Sequence, residues 1–300
     1  MTAIGILASM LLLLSSPAPG AQEFTDYNYL TWLRDGKTLL ISATVAGDSV
    51  YHLYRVDTSD GRVLQLTNGK LSDYSVAVSS DGKKLAYTEQ CASNPKMYCL
   101  WISDTNAGDP KLIQTDAAEA AWSPDDRSLA FFSARAGKAH LFQLDLASLA
   151  VTQLTSGDCH DFSPQYSPDG TELVYESDLD GGGVDEIYLM DLGSKQVRRL
   201  TQNRVSDVRP TWTRDGKYIY WSQNSNAWFN LFRMRPDGSN VTLVEPAATQ
   251  SAFGRDGTMA FLGYPRGKGH FQVFVRAEGV GVPRPVTDRD QPWVTPAQQP

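Results

Sequence analysis

Three aspartates recur at one position of a repeated pattern, and they are the strongest candidates in this sequence for a shared binding site. Asp73, Asp161 and Asp207 each precede a recurring aromatic or apolar residue by five positions, and His160 stands directly before Asp161. If the chain brings these side chains together, their charges either raise one another's pKa or attract a cation. A divalent cation such as Ca²⁺, or a basic segment of a partner, is the expected ligand.

Asp26 and Asp116 lie one position away from the equivalent place in two further repeats. We expect all five carboxylates to enter the innermost strands of their units and to crowd one mouth of a central channel. The alternative is structural, because an aspartate at the start of a strand can bond nearby backbone groups without any ligand. The spacing leaves both roles open.

The three cysteines predict one disulfide and one free thiol. Cys91 and Cys99 flank a short segment that contains Asn94 and Pro95, so we expect these two to pair and Cys159 to stay reduced. Closing so short a loop adds about 2–3 kcal/mol on the chain-entropy model. The cysteine spacing does not match a structural zinc site, and the sequence leaves any metal ligands undefined.

Two histidines, His52 and His140, occupy the same slot of their repeats. Other repeats fill that slot with Cys99, Glu186, Asn230 and Gln272. A polar residue that recurs at one strand position indicates a solvated strand edge. Since their repeats are not adjacent, the two histidines are not expected to share a metal ion. His270 is expected in an exposed loop.

Common catalytic signatures are absent from the sequence. It contains neither a Gly-x-Ser-x-Gly elbow nor a His-Glu-x-x-His motif. Gly181–Gly183 lack the lysine of a phosphate-binding loop, and we expect them at the tip of a strand-to-strand loop. Asp178, Asp180 and Asp185 around them do not have the spacing of a calcium-binding loop. The sequence therefore predicts no enzyme and no cofactor.

The elements that position these residues come from six copies of one motif, in which an aromatic or apolar residue leads into an aspartate-containing turn. The aspartates are separated by 46, 44, 44, 46 and 41 residues. They are Asp35, Asp81, Asp125, Asp169, Asp215 and Asp256. Pro, Asp and Gly at these places suit a tight turn, so we interpret the aspartates as turn formers and not as catalytic acids.

After each turn come a β-rich run, an alternating third strand and a polar turn into a fourth strand. Four strands in about 44 residues is the period of a propeller blade. The sequence therefore predicts an all-β fold, a six-bladed β-propeller of four-stranded antiparallel blades that fills residues 24–287 without a linker. The motif aromatics are expected to pack between neighbouring blades.

Composition and the N-terminus narrow the setting. The net charge of −7 and the pI near 5.1 argue against nucleic-acid binding. Residues 4–14 are apolar and small residues follow, which predicts a signal peptide over residues 1–21 and a single domain over residues 22–300. We expect a periplasmic or secreted monomer that is not integral to the membrane once the signal is cleaved; an uncleaved anchor is the alternative.

The motifs themselves resemble a known family. Residues 122–127 (Trp-Ser-Pro-Asp-Asp-Arg), 166–170 (Tyr-Ser-Pro-Asp-Gly), 176–181 and 186–191 resemble the repeat of the TolB-like six-bladed β-propellers. The resemblance covers essentially all of residues 22–300. It implies the propeller fold more specifically than a function, because similar repeats occur in peptidase propellers and some lyases. The smaller α/β domain that accompanies the propeller in TolB has no expected counterpart here, which separates the chain from TolB itself.

The expected function is that of a non-enzymatic binding propeller in the periplasm or cell envelope, which recognises a protein or peptide partner at the channel face. A rigid ring suits this role because it presents loops from six blades around one depression. One alternative is a glycan-active enzyme resembling oligogalacturonate lyase, which needs metal ligands in the channel, and for these only His160 and the aspartates qualify. Another is a passive structural scaffold in an envelope complex. The scarcity of histidine disfavours the enzyme.

Overall fold

The chain folds into six antiparallel sheets, as the repeat predicts. The computed structural model describes residues 24–180, 183–225, 228–265, 270–277 and 281–287. Each sheet contains four strands that are consecutive in the chain, and every strand pairs with its neighbour in sequence. The protein is a six-bladed β-propeller. Within the described residues no helix is formed that is long and apolar enough to cross a membrane.

The strands of the first three blades are β1 (Phe24–Trp32), β2 (Thr38–Val45), β3 (His52–Asp57), β4 (Val63–Gln65), β5 (Asp73–Val78), β6 (Lys84–Cys91), β7 (Asn94–Asp104), β8 (Lys111–Thr115), β9 (Ala118–Trp122), β10 (Ser128–Ala136), β11 (Lys138–Asp145) and β12 (Val151–Gln153). Those of the last three are β13 (Asp161–Tyr166), β14 (Glu172–Ser177), β15 (Glu186–Asp191), β16 (Val197–Arg199), β17 (Asp207–Trp212), β18 (Ile219–Ser225), β19 (Trp228–Met234), β20 (Thr242–Glu245), β21 (Ala248–Phe253), β22 (Thr258–Gly263), β23 (Gln272–Ala277) and β24 (Arg284–Pro285).

Burial falls from the middle strands of each blade to its outer edge. Strand β2 is buried at seven consecutive residues, whereas the outer strands β4 and β12 are mostly exposed. The second strand packs against neighbouring blades on both faces, which explains why the repeat carries continuous apolar runs there. The alternation of a half-solvated strand would not be stable at that position.

The ring closes by side-chain packing between its first and last blades. Trp32 and Tyr27 of β1 share a buried cluster with Leu262 of β22. The Trp32 indole donates a hydrogen bond to the Ala252 carbonyl oxygen at 3.2 Å, and the Tyr27 hydroxyl donates to Thr287 Oγ1 at 2.9 Å. Among the described strands, each blade consists of four strands that are consecutive in the chain, so these side-chain contacts join the first blade to the last.

Two expectations concern residues that the structure does not describe. The predicted signal peptide, residues 1–21, lies outside the described residues. The same is true of Gly181 and Gly182 at the expected loop tip.

Candidate functional site

The two faces of the ring are defined by the direction of the strands. Because the four strands of a blade alternate in direction, the start of the inner strand and the loop between the second and third strands reach one face. We call this the start face. The turns that contain the six motif aspartates reach the opposite face, which we call the turn face.

The turn face is built from six similar, self-contained turns. In each, the motif aspartate accepts a hydrogen bond from the backbone N–H two residues later, at 2.9 to 3.1 Å. Asp215 also accepts a hydrogen bond from the Lys217 ammonium at 2.7 Å, which lowers the pKa of this carboxyl to about 2. The prediction that these aspartates form turns is confirmed.

The motif aromatics pack against the preceding blade, as expected. The Trp122 indole donates to the Ala77 carbonyl oxygen of blade two at 3.3 Å, and its ring is only 8% exposed. Tyr166 similarly joins a buried cluster with Ala121 and Ala130 of blade three. These rings hold adjacent blades together.

The three predicted site aspartates occupy three separate blade junctions and are enclosed by protein. Asp73, Asp161 and Asp207 are 2%, 2% and 0% exposed. Asp73 accepts a hydrogen bond from Thr67 of the preceding blade, and burial raises the pKa of this carboxyl to about 7, with the charge of Glu89 adding to the effect. The structure therefore does not place these carboxylates at an open channel mouth, where they were expected.

Asp207 and Asp161 have hydrogen-bonding partners of their own as well. Asp207 accepts from the Asn203 amide at 2.6 Å and from the Gln223 amide at 2.9 Å, and burial raises its pKa. Asp161 Oδ2 lies 2.9 Å from His140 Nδ1. This placement favours the structural role that the sequence left open for the aspartates.

A bulge in each inner strand separates these carboxylates from the residues that follow them. The strand pairing shifts between Phe162 and Gln165 in blade four and between Val208 and Thr211 in blade five. Ser163 and Arg209, which lie in these bulges, have positive φ angles of 50° and 55°. A bulge reverses the side to which the following side chains point. Positions on either side of it therefore do not share a face.

A polar layer lies near the bulges of the inner strands, at the position three residues before each repeated aromatic or apolar residue. This position holds Tyr29, Ser75, Glu119, Ser163, Arg209 and Gln250. The Ser163 hydroxyl donates to Glu119 Oε2 at 2.8 Å, which links blades three and four. The Arg209 guanidinium donates to the Asn28 carbonyl oxygen at 3.2 Å, and the Gln250 amide donates to the same oxygen.

Glu119 of the polar layer has a second acidic side chain, Glu176, close to it. Glu176 of β14 accepts a hydrogen bond from the Arg209 backbone N–H. Burial raises the pKa of Glu176 to about 8, and the nearby charge of Glu119 adds to the rise. Burial also raises the pKa of the Tyr29 phenol well above its usual range. In the sequence this layer is visible only through the register of the repeat, which aligns these six residues at one position.

A cavity of about 410 Å³ extends from the turn face to the polar layer. Arg34, Pro124 and Arg214 line its outer end, and Tyr29 and Arg209 line its inner end. The Arg214 guanidinium donates to the Phe253 carbonyl oxygen at 3.0 Å, so this side chain is held by the neighbouring blade. The cavity has room for a small ligand or a single side chain.

The start face carries a row of partly exposed tyrosines over blades one and two. The ring centroids of Tyr51 and Tyr74 are 5.6 Å apart, and those of Tyr74 and Tyr98 are 5.5 Å apart. The Tyr51 hydroxyl donates to the exposed carboxylate of Asp26. Asp26 therefore does lie at the start face, as the register suggested.

The predicted site residue His160 also lies on the start face. Its side chain is 42% exposed, and its ring stacks on Phe162 at 6.2 Å between centroids. His160 Nδ1 lies 3.1 Å from Asp178 Oδ2. Asp116, the remaining carboxylate of the predicted set, accepts a hydrogen bond from the Ser133 hydroxyl at 2.9 Å. None of these contacts joins His160 to Asp73 or Asp207.

The interpretation of His52 and His140 as members of a solvated strand edge is wrong. His52 is 4% exposed and His140 is 3% exposed. The slot faces the next blade, so its polar side chains meet the start of the following inner strand. Glu186, in the same slot, accepts hydrogen bonds from Thr201 at 2.6 Å and from the Asn203 backbone N–H at 2.7 Å. The recurrent polarity serves hydrogen bonds at the blade junctions.

The cysteines have the expected arrangement in the structure. Cys91 and Cys99 form a disulfide with an S–S distance of 1.98 Å, and Cys159 is a buried free thiol. Near the acidic segment of blade four, Asp178 faces His160, while Asp180 forms an ion pair with Arg199 and accepts a hydrogen bond from the Tyr188 hydroxyl. These carboxylates are thus engaged with protein groups.

Comparison with known proteins defines the class of this molecule. The family model of the TolB beta propeller domain matches residues 41–262, which is most of the chain. The chain belongs to the TolB beta propeller domain family.

Two sequence relatives carry the TolB name. The chain is 31% identical over 127 residues to the Protein TolB homolog of Chlorobium chlorochromatii, which covers 42% of this chain and 28% of the relative. It is 34% identical over 100 residues to the Tol-Pal system protein TolB of Francisella tularensis, which covers 30% of this chain and 22% of the relative. The chain thus spans half or less of the length of the curated relatives that it matches.

Solved structures share the architecture at lower sequence identity. The putative TolB of Agrobacterium tumefaciens superimposes with a TM-score of 0.64 at 22% identity, over 74% of this chain and 81% of that one. The oligogalacturonate lyase of Vibrio parahaemolyticus gives a TM-score of 0.59 at 14% identity, over 88% and 78%. At these identities the likeness shows the fold alone.

Proposed function

We propose that this protein is a non-enzymatic binding module of the cell envelope, which takes a segment of a partner protein at the start face. The observation that carries the proposal is the row of partly exposed rings of Tyr51, Tyr74 and Tyr98 on the start face. Tyrosine is enriched in protein interfaces because it offers a large rigid surface with one polar tip. On the turn face, by contrast, the repeated side chains are engaged with their own turns or with the adjacent blade.

The chemistry of the start face indicates the kind of partner segment. The carboxylate of Asp26 accepts a hydrogen bond from the Tyr51 hydroxyl, at the tyrosine row, and that of Asp178 lies beside His160 on blade four. Burial and the charge of Asp178 raise the pKa of Asp185. Such a rim attracts cations through the field of its combined charges. A segment with apolar side chains and at least one lysine or arginine fits both features. Its association should weaken with added salt, since exposed charges are screened.

The proposed compartment is the periplasm or the exterior of the cell. The apolar run at residues 4–14 supports export, and the disulfide between Cys91 and Cys99 is the kind of bond that persists in an oxidising compartment. The relative from Francisella tularensis is named for the Tol-Pal system. We propose a comparable place in an envelope protein complex for this chain, as a monomer.

A pull-down from an envelope extract tests the proposal with a matched control. The tagged protein, a Tyr74→Ala/Tyr98→Ala double variant and a turn-face Arg214→Ala variant are compared. The proposal predicts that one protein is captured by the wild type and by Arg214→Ala but lost with the double variant. Capture that survives the double variant and disappears with Arg214→Ala would place the site at the cavity of the turn face instead.

One observation favours a second candidate, a glycan-active enzyme. Glu176, with a pKa raised to about 8 and close to Tyr29 and Arg209, has the perturbed acidity of a proton-transfer group. The polar layer includes no histidine among the described residues, which weakens the parallel with a metal-dependent lyase. Incubation with oligogalacturonate and detection of unsaturated products decides the matter. Product formation by the wild type that Glu176→Gln abolishes would establish the enzyme.

A further inference from the structure

A buried trio of metal-ligating groups lies at the junction of blades three and four. One ligand atom each from His140, Cys159 and Asp161 falls within 4.8 Å of the other two. His140 Nδ1 is 2.9 Å from Asp161 Oδ2, and the Cys159 thiol is 3.8 Å from both Asp161 oxygens. All three side chains are buried.

Two of these distances are close to the edges of a tetrahedral zinc site. Zinc bonds of about 2.0–2.3 Å to nitrogen, oxygen and sulfur place the ligand atoms about 3.3–3.7 Å apart. The two separations that involve Asp161 come within about 0.4 Å of this range, and His140 and Cys159, at most 4.8 Å apart, need to approach by no more than about 1 Å for the three to meet at one ion. A thiolate, an imidazole and a carboxylate form a donor set that suits Zn²⁺ and does not suit Ca²⁺ or Mg²⁺.

The trio lies beneath an exposed segment of the chain. Residues 156–158 are exposed, and Gly157 stands over the thiol, since a Cβ there would be in van der Waals contact with Cys159 Sγ at 3.7 Å.

The equivalent junction of blades one and two shows what is particular to this place. His52 occupies the slot of His140, and Asp73 occupies the position of Asp161. Leu71 stands where blade four has Cys159, and Asp73 is hydrogen-bonded to Thr67. Thus the repeat supplies the histidine and the aspartate in both junctions, but the thiol in one of them.

We propose that His140, Cys159 and Asp161 bind one Zn²⁺ ion that fastens blade three to blade four. The site does not include the start-face tyrosines, so the test of zinc binding is independent of the test of partner binding. Since the ligands come from β11 and from the beginning of blade four, the bound ion would link the two blades. Binding to the folded state alone would raise the melting temperature.

The test uses the full chain with its Cys91–Cys99 disulfide intact, freed of metal, and Zn²⁺ itself as the probe. Competition against a chromophoric chelator should give one zinc per chain. Cys159→Ser should weaken zinc binding by about 100-fold or more, beyond the loss typical of an outer-shell change. His52→Asn is the matched control, because it alters the same slot at a junction without the thiol, and it should leave zinc affinity unchanged.

A second measurement does not depend on any variant. Co²⁺ added to the wild type should produce a thiolate-to-cobalt charge-transfer band in the near ultraviolet, and Cys159 is the free thiol that can supply it. Absence of this band together with no uptake of micromolar zinc would overturn the proposal. Equal zinc affinity in the wild type and in a folded Cys159→Ser variant would overturn it too.

Discussion

The two faces of this propeller are made from the same six repeats, yet they differ in how their polar groups are used. On the turn face, the carboxylate of each motif aspartate accepts a hydrogen bond from the backbone of its own turn. On the start face, the loops differ from blade to blade, and aromatic rings such as Tyr74 remain partly exposed. The comparison indicates that repetition at the turns stabilises the ring, whereas divergence at the strand starts is available for recognition.

The largest difference between the faces should appear in the loss of stability when a tryptophan is replaced by alanine, at Trp122 near the turn face and at Trp228 on the start face. Trp122 packs between blades near the turn face, and its replacement by alanine should lower the free energy of unfolding by about 3–5 kcal/mol, because it leaves a cavity. Chemical denaturation followed by fluorescence or circular dichroism measures the loss. A loss below about 1 kcal/mol would show that the motif aromatics do not hold the blades together.

Removal of the disulfide of blade two should cause the next largest loss of stability. Cys91→Ala/Cys99→Ala should lower the free energy of unfolding by about 2–3 kcal/mol, since the open chain gains entropy when unfolded. Thiol counting on the denatured, unreduced wild type should find one free thiol, from Cys159. Three free thiols, or a linkage between Cys159 and either partner, would refute the pairing.

The pH dependence of stability should have opposite signs for carboxylates of the two faces. Asp73, with its pKa raised to about 7, takes up a proton on folding, so its contribution to stability is lost as the pH rises from about 4 to 7. Asp73→Asn should remove this slope, which for one group is at most about 1.4 kcal/mol per pH unit.

Asp215 provides the opposite case. Its pKa is lowered to about 2, so its contribution is present above about pH 4 and is lost as the pH falls towards 2. Asp215→Asn should therefore flatten the acid limb of the stability curve and leave the neutral limb unchanged. Matching slopes for the two variants would contradict the different environments assigned to the faces.

The smallest effect on stability is expected at the start face. Trp228 is 46% exposed and its ring centroid lies 4.3 Å from that of Tyr264. Trp228→Ala should cost about 1 kcal/mol or less, the range of a single aromatic pair. The same variant should reduce capture of the envelope partner if the binding surface extends across blades five and six. A loss as large as that of Trp122→Ala would mean that this ring belongs to the core.

The fold was predictable because its information is local and repeated. The turn around Asp125 and the strand that follows carry their own signals, and six copies at nearly constant spacing define the blades without any long-range contact. The packing of Trp122 against blade two followed from the same period.

The site was less predictable because it depends on bulges and on contacts between blades. A bulge at Arg209 brings this residue into the polar layer and leaves Asp207 buried at a junction, which strict alternation along β17 does not show. In the sequence His140 shares its slot with His52, whereas its neighbour in space is Asp161 of the next blade. Such contacts follow from the closure of the ring and not from the spacing of residues within one repeat.

Site-specific photo-crosslinking in living cells tests the difference between the faces most directly. A photoreactive phenylalanine analogue replaces Tyr74 on the start face in one strain and Arg214 on the turn face in another, and both variants are checked for native stability. We expect a defined adduct with an envelope protein from position 74 and none from position 214, and we expect added salt to weaken the adduct. An adduct from position 214 with none from position 74 would contradict this expectation.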